Sequence, residues 1–137
     1  MADYPVLSQH FGAWEGTYAL IESRTGEVLD RHQSRIEVWR DGTRYFQRNI
    51  YTWADGRQTS VEFPGELRDG RIYYDTERLI GEAMEVWDHT VILTWRYKAK
   101  PEERMLEVVQ LVSPTRRIRT WQFPDGRVMH IEEDKVE

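Results

Sequence analysis

The sequence predicts an all-β fold, an antiparallel up-and-down barrel of about 8–10 strands with a short N-terminal helix. Three observations carry this. Asp-Gly pairs recur at Asp41-Gly42, Asp55-Gly56, Asp69-Gly70 and Asp125-Gly126, the first three 14 residues apart. Asp-Gly suits tight hairpin turns, because both residues tolerate positive φ. Between the turns, Val, Ile, Thr, Tyr and Trp dominate in alternating patterns, as strands prefer. Helical spacing is poor almost throughout. So many strands exceed what one open sheet comfortably carries, and closure removes exposed edges. A two-sheet sandwich is the main rival.

The elements follow in order. Around Pro5 to Phe11, Val6, Leu7, His10 and Phe11 share one face of a short helical turn. A strand at 14–22 puts Trp14, Gly16, Tyr18 and Leu20 on one side, and the weak turn Thr25-Gly26 ends it. The next, 28–39, sets His32, Ser34, Ile36 and Val38 against Arg31, Gln33, Arg35, Glu37 and Trp39. Asp-Gly turns then bound strands at 44–53, 59–67 and 71–76, and the segment 79–87 runs to a break at Trp87-Asp88. The strand 90–98 stops before Lys100-Pro101, where Glu102 and Glu103 read as surface charges on a turn. The strand 105–113 is ended by Pro114. Strands at 116–123 and 127–133 flank Asp125-Gly126, and Glu132-Glu133-Asp134 reads as a solvated acidic tail.

Size and composition fit one domain, 1–137, with one core: 16.5 kDa, 39% apolar residues, six Trp and seven Tyr. No apolar run is long enough to cross a membrane as a helix. Met1 to Gln9 lacks the basic-then-apolar pattern of a secretory leader, and the chain has no cysteine, so a cytoplasmic location is expected. The same lack of cysteine excludes disulfides, thiolate metal sites and a cysteine nucleophile. A net charge of −5 argues against nucleic acid as partner.

The strand 44–53 carries the candidate site. Tyr45, Gln47, Asn49, Tyr51 and Trp53 fall on one face, too polar for a dry core and too aromatic for an ordinary wet surface. Such a face suits a partly hydrated pocket, in which rings supply contact area and amides and phenols supply fixed hydrogen bonds. The rival is an exposed face whose aromatics pair across strands or meet a second copy in a homodimer. Late strands add Glu107 within an apolar pattern and Arg117, Arg119 and Trp121 on one face, where an arginine could neutralise Glu107 or an acidic ligand.

The stretch Phe11-Gly12-Ala13-Trp14-Glu15-Gly16-Thr17-Tyr18 resembles the Gly-x-Trp opening of calycins, the lipocalin-like barrels. In that superfamily the Trp plugs the closed end and a late-strand Arg packs across its ring. Arg119 best fits that Arg, with Arg117 second. Gln47 to Arg57 is similar to the central signature of an uncharacterised lipocalin-like family, a Gln/His-x-Asn-x-Tyr-Thr motif running into Asp-Gly-Arg. Arg119-Thr120-Trp121 followed by Asp125-Gly126-Arg127 is similar to its late segment. The resemblance spans roughly Phe11 to Glu133 and implies a ligand-binding barrel with no known reaction. Bilin-attaching lyases, fatty-acid carriers and nitrobindin-type haem barrels are distant relatives on this reading. The haem reading would rest on His130.

The chemistry this supports is narrow. No Gly-x-Ser-x-Gly elbow, Gly-rich phosphate loop or paired-histidine metal spacing occurs, so no metal and no cofactor is expected. The expected function is binding of a small apolar or aromatic molecule by Tyr18, Tyr45, Gln47, Asn49, Tyr51, Trp53, Glu107, Arg119 and Trp121. The alternative is a cofactor-free isomerase, cyclase or lyase in the same pocket. Glu107 (or Glu85) would be its acid or base, Tyr51 or Tyr45 a hydrogen-bond donor and Arg119 an anion holder. The sequence alone leaves that choice open.

Overall fold

The computed structural model describes residues 3–136, so Met1, Ala2 and Glu137 at the ends of the expected domain lie outside them. A 3₁₀ turn, Leu7–His10, stands where the short helix was expected. Eleven strands follow: β1 Gly12–Glu22, β2 Val28–Asp41, β3 Arg44–Thr52, β4 Gln58–Glu62, β5 Gly65–Arg68, β6 Arg71–Asp75, β7 Leu79–Trp87, β8 Thr90–Tyr97, β9 Arg104–Ser113, β10 Arg116–Gln122 and β11 Arg127–Lys135.

All pairings are antiparallel, and the order runs β2-β1-β11-β10-β9-β8-β7-β6-β5-β3. A β2–β3 pairing joins the two ends, so the sheet closes into a ten-stranded barrel with β4 as one extra strand on β3. Closure decides against the sandwich. Bulges between Leu20 and Ile21, Glu85 and Trp87, and Arg116 and Arg117 add local bend.

Two expected elements differ. The strand at 59–67 is broken into β4 and β5, which lie end to end along β3. Pro64 falls at the break; it has no N–H to give the ladder. The acidic tail is not a tail. Glu132, Glu133 and Asp134 belong to β11, and Glu133 is 0% exposed, facing inward while its neighbours face solvent. A buried carboxylate needs room and positive partners. Gly16 supplies the room: a Cβ there would stand 2.7 Å from the Glu133 Cγ. Two arginines of β10 supply the charge.

Strand directions sort the turns into two ends. The first and last described residues and the Asp41-Gly42 and Asp69-Gly70 turns lie at one, and the Asp55-Gly56 and Asp125-Gly126 turns lie at the other. Of the four pairs, only Asp69-Gly70 has both residues at positive φ, 52° and 77°. The first end is plugged. Trp14 is fully buried and its Nε1–H donates to the His10 carbonyl at 3.1 Å. Across its ring, 4.3 Å from the centroid, lies the Arg117 guanidinium. This corrects the expectation that favoured Arg119, which instead lies over Tyr18 at 5.5 Å. The Glu85 carboxylate pins the N-terminal turn by accepting the Val6 and Leu7 N–H groups at 2.6 and 2.7 Å.

Candidate site in the barrel lumen

Alternation along β3 points Tyr45, Gln47, Asn49 and Tyr51 inward, and Tyr45 and Asn49 are buried. The exposed-face and dimer-surface rival for this strand is thereby overturned. The four side chains form a ladder at two-residue spacing. Tyr45 OH donates to Gln47 Oε1 at 2.6 Å, Gln47 Nε2 to Asn49 Oδ1 at 2.8 Å, and Asn49 Nδ2 to Tyr51 OH at 2.8 Å. Burial raises the phenol of Tyr45 to about 12 and that of Tyr51 above its ordinary range.

An ionic chain lies in the same interior, on β9, β10 and β11. Arg119 Nε donates to Glu107 Oε2 at 2.7 Å, and its Nη1 donates to Glu133 Oε2 at 3.1 Å. Arg117 Nε donates to Glu133 Oε1 at 2.7 Å, and its Nη1 lies 3.3 Å from His10 Nδ1. All four charged residues are buried, and two arginines balance two glutamates. Burial alone would push the Glu133 carboxyl up; Arg119 and Arg117 outweigh it and hold the group below its usual range. Burial would likewise depress Arg119, but Glu107, Tyr18 and Glu133 hold it well above its ordinary value. His10 is the reverse: burial, reinforced by Arg117 and Arg119, lowers it to about 3. It is therefore neutral at physiological pH, with Nδ1 accepting from Arg117.

Two small cavities sit between ladder and chain. The one nearer the open end, about 60 Å³, is bordered by Gln47, Asn49, Glu107, Arg119 and Trp121 and by apolar groups including Phe63, Leu79, Leu93 and Trp95. The deeper one, about 50 Å³, shares Gln47, Glu107 and Arg119 and adds Tyr45, Leu7 and His10. Each exceeds the minimum space a water molecule needs, about 10–15 Å³. Tyr97 borders the upper cavity and also a mouth cleft of about 640 Å³ walled by Phe123, Met105, Arg78, Lys100 and Arg127.

Five of the nine expected ligand residues thus border the upper cavity, and Tyr45 borders the deeper one. The other three border neither cavity. Tyr18 is 1% exposed and stacks on His32, ring centroids 4.8 Å apart. Tyr51 meets Tyr18 edge-on, and Trp53 packs on His32 and donates to Asp30. Sequence reasoning missed Phe63, Tyr74, Leu79, Leu93, Trp95 and Tyr97, which reach the cavity only through closure and register. The haem candidate His130 lies on the outer face, 3.5 Å from Glu132. No three His, Asp or Glu side chains stand together as a metal site would need among the described residues.

Known structures share this architecture. A protein of unknown function from the DUF3598 family of Nostoc punctiforme superposes with TM-score 0.76 at 14% identity, over 95% of this chain and 49% of its own. This chain therefore spans about half that protein's length. Rv2717c from M. tuberculosis gives 0.70 at 11% identity, over 100% and 99% of the two chains. The S-type phycobiliprotein lyase CPES from Guillardia theta gives 0.69 at 11%, over 100% and 94%. A redesigned barrel, mFAP1, bound to the small molecule DFHBI, gives 0.54 at 15%, over 96% and 99%. At these identities the likeness establishes the barrel fold. No protein-family model and no curated protein matches the chain. No helix among the described residues is long and apolar enough to cross a membrane.

Proposed function

We propose that this chain binds a small apolar or aromatic molecule, its body in the mouth cleft and its tip in the upper lumen. One observation carries the reading: the Tyr45–Gln47–Asn49–Tyr51 ladder faces inward, and its middle pair, Gln47 and Asn49, borders the cavity nearer the open end. A buried row of hydrogen-bonding groups near Trp95 and Trp121 suits an oriented ligand. The cleft, at about 640 Å³, falls within the ~300–1,000 Å³ of small-molecule sites. The lipocalin-like resemblance and a redesigned barrel of this architecture that binds DFHBI support the reading.

Hydrophobic dyes or fatty acids titrated into the protein should quench Trp fluorescence and raise the melting temperature. Saturable binding supports the proposal, and no response from a panel spanning aromatic and aliphatic probes rejects it. Mass spectrometry of small molecules that co-purify from the native cell would name the ligand.

Glu107 borders both cavities, and this favours one second reading, a cofactor-free isomerase, cyclase or lyase using Glu107, Tyr51 and Arg119. Glu107→Gln separates the two: an enzyme loses turnover and keeps binding, whereas a carrier has no turnover to lose.

A further inference from the structure

Residues with unused donors border the upper cavity. Trp121 Nε1–H is buried and has no hydrogen-bond partner among the described residues. Each amide of the β3 ladder donates one hydrogen bond and accepts one, whichever way the ladder runs. A primary amide has two N–H groups, so Gln47 and Asn49 each keep one spare donor at the cavity wall. The charges are balanced, and three of the four carboxylate oxygens carry a charge-assisted bond. Glu107 takes Arg119 Nε, and Glu133 takes both Arg119 Nη1 and Arg117 Nε.

These facts discriminate between ligand tips. A hydrocarbon tip would leave the Trp121 N–H dry and unpaired, which is unfavourable in a low-dielectric interior. A carboxylate tip would add a charge to a chain that is already neutral, and Arg119 is committed to two glutamates, so no free cation meets it. A neutral acceptor oxygen satisfies the donors without upsetting that balance.

Taking the lumen-binding reading as given, we infer that the natural ligand is an uncharged aromatic molecule whose inserted end carries a carbonyl-type oxygen that accepts from the Trp121 indole N–H, with the Gln47 and Asn49 amides alongside. Arg119 holds Glu107 and Glu133 in place and does not touch an anionic group of the ligand.

Three probes of one ring system test this: 2-acetylnaphthalene, 2-ethylnaphthalene and 2-naphthoate, compared by isothermal titration and by the Trp121 indole N–H resonance. The ketone should bind about tenfold tighter than the ethyl compound, the worth of about one hydrogen bond. It alone should shift the Trp121 N–H signal downfield. Naphthoate should bind more weakly than the ketone. In Trp121→Phe, which keeps a ring and removes the donor, the ketone's advantage over the ethyl compound should vanish while the ethyl compound still binds. Equal binding of ketone and hydrocarbon to the native protein overturns the inference and leaves lumen binding standing. So does naphthoate binding tightest, which would put Arg119 on the ligand. If none of the three binds, lumen binding itself fails and the inference falls with it.

Discussion

Glu133 and Arg119 show how single residues govern this interior. Each makes two charge-assisted bonds inside the barrel, so each is a junction in the chain Glu107–Arg119–Glu133–Arg117. Removing one partner of a buried pair strands the other, at a cost of about 3–5 kcal/mol. Arg119→Leu strands Glu107, while Glu133 keeps Arg117, and should lose about that much, read as a lower urea midpoint. A loss under about 1 kcal/mol would mean the chain is wet. Acid should act through the same groups. Glu133 titrates lower folded than unfolded, so its stabilisation is present above the ordinary carboxylate value and is lost as pH falls through the depressed one. His10 adds to this with the same sign. Its folded value of about 3 lies below the ordinary histidine value of 6.5, so below 6.5 the unfolded chain binds the extra proton and stability declines until about pH 3. At pH 5.5 that linkage amounts to about 1.4 kcal/mol. His10→Leu should flatten the stability profile between pH 5 and 7, and an unchanged slope there would show that His10 is solvated.

Individual elements are held by contacts of their own. The N-terminal turn packs Val6, Leu7 and His10 into the closed end, yet its two leading N–H groups are anchored by one side chain, Glu85 of β7. Bonds to a charged acceptor are worth roughly 1.5–3 kcal/mol each way they are counted. Glu85→Ala should therefore speed hydrogen exchange at Val6 and Leu7 many-fold while β9 amides stay protected. Equal acceleration throughout would mean that turn and barrel open as one unit. Gly16→Ala should disturb β1 against β11, since its Cβ would meet the Glu132 carbonyl as well as the Glu133 side chain. Strand existence and facing were legible in the sequence because alternation and Asp-Gly turns are local signals. The inward run of β3, the buried face of Met105, Glu107, Val109 and Leu111, and that of Arg117, Arg119 and Trp121 all follow from period two. What was not legible depended on partners distant in sequence. Three acidic residues in a row look solvated until Gly16 and two arginines from other strands surround the middle one. Arg117 and Arg119 share a face, so parity alone could not say which lies on Trp14; the β10–β11 register, which sets Arg117 opposite Glu133, decides it.

At the scale of the whole molecule, the lumen is furnished with rings. Trp53, His32, Tyr18, Trp121 and Trp95 run as successive contacts across the interior, with centroid separations of 4.6, 4.8, 5.7 and 5.5 Å. This band is why a barrel of ten strands keeps only small cavities. Eight strands already give an interior that side chains just fill, and aromatic residues fill a wider one. Binding therefore has to begin in the mouth cleft and displace groups at its edge, and Tyr97, 41% exposed and shared by cleft and upper cavity, is the side chain with the freedom to swing. Shrinking one ring should turn the filled lumen into an open one. Trp95 is the choice, because it borders the upper cavity and touches Trp121 edge-on without belonging to the ionic chain. Trp95→Leu should destabilise by less than the roughly 3–5 kcal/mol of a Trp→Ala change, within reach of a domain stable by about 5–15 kcal/mol. It should also gain affinity for a bulky hydrophobic dye that the native protein holds only weakly at its rim. If dye affinity stays the same while stability drops, the neighbouring rings have collapsed into the space. The lumen would then be a plastic core, and ligand capture would belong to the cleft alone.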